Sequence, residues 1–203
     1  MNLFDSAHIL SSLGQLAVFG AALIIYLETA TILGSILPGD SLLFLLGLGL
    51  ATWLVEFPVL IAIPIVFLAA VAGSQTGFAL GHKFGPRLFK NTETFFFNQK
   101  TVARTQHFFK HYGPRSIVIA RFVPILRALI PMFAAIAHFD PRKFFLLNLL
   151  GGFIWTAGLI GAGYFLGNIE FVRQNVEAFV IGFVILSSLA LPVEMLREKF
   201  KRK

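Results

Sequence analysis

The sequence predicts an all-α polytopic membrane protein: an inverted repeat with two re-entrant helical hairpins plus transmembrane helices. Three observations carry that prediction. Of the 203 residues, 57% are hydrophobic and only 13% charged, against about 25% charged in an ordinary soluble domain, and the mean hydropathy is +0.80. Positive charge is segregated, since residues 1–82 hold Asp5, Glu28, Asp40 and Glu56 but no Lys or Arg, and all 17 basic residues follow. Two apolar runs, one around Pro38-Gly39-Asp40 and one around Arg121–Pro131, carry charges and helix breakers that a simple span does not.

The composition excludes a soluble globular enzyme and a disordered chain. At roughly 20 residues per crossing, the length allows about five or six membrane segments. The chain therefore reads as one integral membrane domain over 1–203, with no separate catalytic domain. The net charge of +7 divides into −4 before Lys83 and +11 from Lys83 onward. In a membrane protein such a division reports topology, so no nucleic-acid partner is expected. With no cysteine, disulfides, thiol catalysis and cysteine-ligated metals are excluded. No basic stretch precedes the first apolar run, so a cleaved signal peptide is not expected.

The elements follow in order. The first repeat covers about 13–81. Its first apolar run, 13–37, is interrupted by Glu28 and by the breaker Pro38-Gly39-Asp40. Ser41–Val55 is apolar but only about 22 Å long as a helix, enough to go part way across, and reads as a re-entrant element. Phe57–Leu80 suits a full span entered or kinked at Pro58 and Pro64. Residues 82–115 carry seven Lys or Arg and one acid, Glu93, and read as a basic cytoplasmic loop. Its Phe95-Phe96-Phe97 and Phe108-Phe109, set among Lys100, Arg104 and Lys110, equally suit an interfacial stretch on anionic lipid.

The second repeat covers about 116–193. Ser116–Phe139 contains Arg121, Pro124, Arg127 and Pro131. Two mid-membrane arginines together cost roughly 5–7 kcal/mol on the insertion scale, and two prolines interrupt the helix that would carry them. Arg115 on one flank and Arg142-Lys143 on the other both favour the cytoplasm, so a second re-entrant hairpin is expected, entering from the face opposite to the first. Phe144–Leu166 has no charge and is a full span. Ala178–Val193 is a shorter one, and the basic tail 194–203 places the C-terminus in the cytoplasm. Gly77-Phe78-Ala79-Leu80-Gly81 and Gly163-Tyr164-Phe165-Leu166-Gly167 share one pattern 86 positions apart, and the same offset carries Pro38 onto Pro124. The first copy is followed by Lys83, Arg87 and Lys90, the second by Glu170, Arg173 and Glu177. Equivalent motifs thus end on opposite sides of the membrane, the pattern of inverted-repeat transporters.

Four ionisable residues remain at membrane depth: Glu28, Asp40, Arg121 and Arg127. Such residues are expensive and mark function by default. If the hairpin tips meet, two acids face two guanidiniums. Arginine binds phosphate through a planar fork and keeps its charge, so Arg121 and Arg127 are the candidate site for a lipid phosphate. A low-dielectric cavity favours the protonated carboxyl, so Glu28 and Asp40 are the candidate proton-coupling pair. Reciprocal occupation of the arginines by phosphate or carboxylate would give proton-coupled exchange. The alternative is a salt-bridge cluster that only locks the hairpins together, although buried ion pairs are weak stabilisers. His107 and His111 have i, i+4 spacing but lack the glutamate of a zinc-protease helix, and no metal site or cofactor is expected. His138 beside Asp140 belongs to the cytoplasmic interface. Trp53, Trp155 and the 24 Phe read as packing or lipid-facing residues.

These residues resemble a known family. Glu28 with Pro38-Gly39-Asp40-Ser41-Leu42-Leu43 is similar to the first motif of the DedA membrane proteins, which carry the SNARE-associated or VTT domain. Arg121-Phe122-Val123-Pro124-Ile125-Leu126-Arg127 with Pro131 is similar to the second, and Asn148, Gly151 and Trp155 follow in keeping with it. The resemblance implies a bacterial inner-membrane protein with two facing re-entrant hairpins that returns undecaprenyl phosphate across the membrane, using the proton-motive force. It maps the functional acids and arginines onto Glu28, Asp40, Arg121 and Arg127. Eukaryotic relatives scramble phospholipids. Three positions depart from the pattern: Ala134-Ala135 stands for Ala-Gly, Phe78 and His82 for Tyr and Arg, and Gln75 for an acid.

The leading expectation is therefore a flippase for a phosphorylated lipid, with the membrane and protons as its partners and a homo-oligomer left open. The alternatives are an energy-independent glycerophospholipid scramblase and a non-transporting structural or interaction protein. An enzyme is not expected, because no nucleophile with a base accompanies the arginines.

Overall fold

The computed structural model describes residues 3–31, 39–52, 55–91, 113–122 and 124–175. Among these the regular elements are all helical: α1 (Leu3–Ala30), α2 (Gly39–Ala51), α3 (Val59–Asn91), α4 (Ser116–Ile119), α5 (Pro124–Ile136), α6 (Pro141–Gly167) and α7 (Glu170–Gln174), with single 3₁₀ turns at Gly113–Arg115 and Ala120–Phe122. Pro38, the expected span 178–193, the basic tail, His107 and His111 lie outside the described residues.

Among the described residues two stretches are long and apolar enough to cross a membrane, Val59–Lys83 within α3 and Pro141–Gly167. At 1.5 Å per residue each exceeds the ~30 Å hydrocarbon core. By contrast α2 and α5 have 13 residues each, about 20 Å of helix, and cannot cross. The polarity of α6 is inverted relative to a soluble helix. Its buried stripe carries Asn148, Trp155 and Thr156, while Phe145, Leu146, Leu150, Phe153 and Ile154 are exposed. Polar groups inside and large apolar groups outside are what a lipid surround favours.

Two expectations are corrected. The basic loop was expected from residue 82, yet α3 runs on to Asn91. Extending a formed helix needs no new nucleus, so its polar continuation stays helical. Pro131 was expected to break its helix, but it lies inside α5. A proline there removes the bond its own N–H would have made to the residue four back and crowds that carbonyl, a local cost that does not end the helix at Pro131. About two turns earlier, a 3₁₀ turn ends at Phe122 and Pro124 is the first residue of α5, the helical position proline suits best.

The chain divides into two compact units. The first comprises Met1–Ala17, Pro38–Val59 and Leu159–Lys203. In it α2 lies directly on the end of α6: a Cβ on Gly163 would meet the Leu48 nitrogen at 2.9 Å, and one on Gly167 the Leu48 carbonyl at 3.1 Å. Small residues at such contacts let helix backbones approach closely. Leu48 and Val172 form a small buried cluster beside them.

The second unit comprises Val18–Leu37 and Leu60–Gly158. Tyr26 on α1 shares a 3.1 Å hydrogen bond with Thr76 on α3. A Cβ on Gly81 of α3 would lie 2.6 Å from the Met132 carbonyl of α5. The core joins Phe78, Ile117, Ala120, Ile130, Ala134, Ala135 and Phe144, with the Phe78 and Phe144 rings stacked at 4.4 Å. Both methyls of the departing pair Ala134-Ala135 are thus packed in this core.

The turn from α5 to α6 is built from paired caps. Phe139 N–H donates to the Ala134 carbonyl (2.9 Å) and His138 N–H to that of Ala135 (3.1 Å), the Schellman arrangement. His138 takes its left-handed position, with φ 54°. Asp140 then caps α6, accepting from the Lys143 N–H at 2.9 Å, with Pro141 at the first helical position. His138 therefore serves as a turn residue, its ring edge-on to that of His82.

Candidate functional site

The second unit gathers three of the four expected residues. Glu28 comes from the last turn of α1, Arg121 from the 3₁₀ turn Ala120–Phe122, and Arg127 from the first turn of α5. The two arginines thus belong to separate helical elements. All three side chains are buried: Glu28 is 1% exposed and each arginine 4%.

Arg127 donates through Nη2 to Glu28 Oε1. Its guanidinium also lies over the Trp155 ring, 4.4 Å from the centroid, a cation–π contact that gains strength on desolvation. Arg121 has a different setting. Its Nη2 donates to Ser74 Oγ at 3.0 Å and to Asn148 Oδ1. Asn148 Nδ2 in turn donates to the Val71 carbonyl at 3.1 Å. Gly151 makes room for the arginine stem, since a Cβ there would lie 3.0 Å from Arg121 Cδ.

Both guanidiniums line one small cavity with Ser74, Asn148 and an apolar wall that includes Ile130 and Phe144. The space open to a water's centre is ≈ 10 Å³, about one water molecule.

Asp40 belongs to the first unit, in the first turn of α2, where an acid favours the helix N-terminus. Gly39 opens the same helix. Among the described residues no group of three or more His, Asp or Glu is placed to hold a metal.

Sequence reasoning did not assign Ser74, Asn148 or Trp155 to the site. The signal for Asn148 was a carboxamide inside a charge-free span. Trp155 was expected to pack or face lipid, and its packing partner is Arg127. Ser74 has no sequence signal beyond a hydroxyl on an apolar helix.

Comparison with known proteins places these residues in a family. The VTT domain matches residues 37–165. An uncharacterized membrane protein of Mycobacterium tuberculosis is 37% identical over 191 residues, covering 91% of this chain and 84% of that protein. Protein DedA of Escherichia coli is 32% identical over 177 residues, covering 87% and 81%. Inner membrane protein YghB of Escherichia coli is 31% identical over 172 residues, covering 82% and 75%. No solved structure matches the chain.

Proposed function

Because the chain belongs to the DedA family of VTT-domain membrane proteins, we propose that it is a flippase for a phosphorylated carrier lipid, undecaprenyl phosphate, in the bacterial inner membrane. One observation carries the reading: Arg127 is held by a buried acid 99 positions away, in a cavity that also presents Arg121. A buried pair is a weak stabiliser and a good switch. When Glu28 takes up a proton, Arg127 loses its counter-ion and can accept a lipid phosphate. When Glu28 ionises again, it reclaims the arginine and expels the phosphate. Asp40 is the second proton site of the cycle. The purpose is transport, with proton movement as the driving reaction and no covalent chemistry.

The inverted repeat and the two re-entrant hairpins form the frame of this proposal. It is supported by a shared local arrangement in the two units. In each, a 13-residue helix that follows a breaker lies on the Gly-aromatic-x-Leu-Gly motif of a long helix: α2 on Gly163 and Gly167, α5 on Gly81. The tail after residue 193 then lies in the cytoplasm.

Proteoliposomes carrying undecaprenyl phosphate test the reading. The rate of phosphate exposure on the far leaflet is expected to rise with an imposed proton gradient. Glu28→Gln is expected to remove that dependence, and Arg127→Lys to abolish transport in a folded, inserted protein. Normal transport by Arg127→Lys overturns the phosphate role. A gradient-independent rate with Glu28→Gln tolerated favours passive scrambling of glycerophospholipids instead.

A further inference from the structure

Arg121 and Arg127 are equally buried but differently held. Two bonds to Ser74 and Asn148 use both hydrogens of Arg121 Nη2. Asn148 is fixed by the Val71 carbonyl, and Gly151 and Gly152 form the slot behind the guanidinium, with hypothetical Cβ atoms 3.0 Å from Cδ and 3.6 Å from Cζ. Arg121 Nη1 is buried and has no acceptor among the described residues, and its side chain lines the cavity. A buried charged donor left in this state is costly, so the surrounding frame must hold it there. Both bidentate edges of a guanidinium include Nη2, which in Arg121 is occupied. Arg127 is held instead by an acid that can change its charge and by a ring face.

We infer that Asn148, assisted by Ser74, is a positioning residue that locks Arg121 as a fixed anchor whose Nη1 is left for the phosphate, while Arg127 is the arginine that exchanges between Glu28 and the ligand. The inference rests on the phosphate reading above and narrows it. The two arginines are not an equivalent bidentate pair, and affinity for the phosphate depends on two uncharged residues that never touch it.

Trp155 supplies a local reporter, because it touches Arg127 and is one of only two tryptophans. The full chain with Trp53→Phe, purified in detergent, is titrated with farnesyl phosphate while Trp155 emission is followed, with farnesol as the uncharged control. The parent is expected to respond saturably to the phosphate alone. Adding Asn148→Ala is expected to weaken the midpoint by about tenfold, the effect of one charge-assisted hydrogen bond, and to leave the amplitude at saturation intact, since Arg127 still leaves the ring. Ser74→Ala is expected to shift the midpoint the same way, and Ser74→Thr, which keeps the hydroxyl, to restore it. A merely structural role would reduce the amplitude with the folded fraction and leave the midpoint in place. Should Asn148→Ala fail to fold, the Ser74 pair decides. Parental midpoints in both alanine variants overturn the positioning role and leave the phosphate reading standing. No response of the parent to farnesyl phosphate overturns the phosphate reading and this inference with it.

Discussion

Glu28 and Arg127, 99 positions apart in the chain, meet as a buried ion pair with the Trp155 ring against the guanidinium. The pair joins the end of α1 to the beginning of α5, so one contact ties the first run of the sequence to the helix that begins at Pro124. Substitution of one partner or of both separates a structural role of the pair from a functional one.

Removing one partner leaves an uncompensated buried charge, which costs about 3–5 kcal/mol, whereas a well-packed apolar replacement of both is often neutral. Glu28→Ala is therefore expected to lower the unfolding free energy in detergent by about that amount. Glu28→Leu combined with Arg127→Met is expected to recover most of the loss and to remain inactive in transport. An active double variant would leave the pair with only a structural role.

Glycines on α6 differ in what surrounds them. An added Cβ at Gly151 meets Arg121 Cδ at 3.0 Å and Val118 Cα at 3.2 Å, while one at Gly158 meets nothing within 4 Å. Overpacking costs about 1–3 kcal/mol, and relieving a mid-helix glycine gains roughly 0.5–1 kcal/mol. Gly151→Ala is expected to destabilise and Gly158→Ala to stabilise, as read by thermal unfolding of the two proteins in the same detergent. Equal shifts would mean that the Arg121 slot is not tight.

Asp140 caps α6 from outside the span. The Lys143 N–H holds its carboxyl below the ordinary 3.8, opposed in part by burial and helped by Arg142 N–H and by the charges of Lys143 and Arg142. A pKa lower in the folded than in the unfolded chain stabilises fully above the unfolded value. That contribution is lost as pH falls below about 4 and through the folded value. Asp140→Asn keeps an acceptor for the cap but does not titrate there. Between pH 7 and 3 the difference in unfolding temperature between parent and Asp140→Asn is expected to shrink. A constant difference would contradict the cap's ionic character.

Much of this was legible in the sequence, for identifiable reasons. The two long spans follow from apolar runs, and helices that begin at Gly39 and Pro124 follow from proline beside charge. Glu28, Arg121 and Arg127 were visible because an ionisable group in an apolar run has few ordinary explanations. Pro131 misled, because a proline's local penalty can be absorbed by a packed helix. Ser74, Asn148 and Trp155 were not assigned because small polar and aromatic residues are common in spans. Their roles depend on which helix faces which, and that is set by glycines whose partners are distant in sequence. Asp40 was grouped with the others by its charge, by the repeat and by the family resemblance, and it lies in the first turn of α2 in the other compact unit.

The one-water cavity between the arginines has a kinetic meaning. A ligand that needs Arg127 released binds only the fraction of molecules in which the release has occurred, and its apparent affinity is weakened by that fraction. With release in about one molecule in a hundred, a site of micromolar intrinsic strength would act as one of about 0.1 mM. Abundant lipids whose headgroups compete poorly with Glu28 would then seldom occupy the pathway. In the proposed cycle this requirement would act as a filter, trading speed at low substrate density for a membrane that does not leak its own lipids.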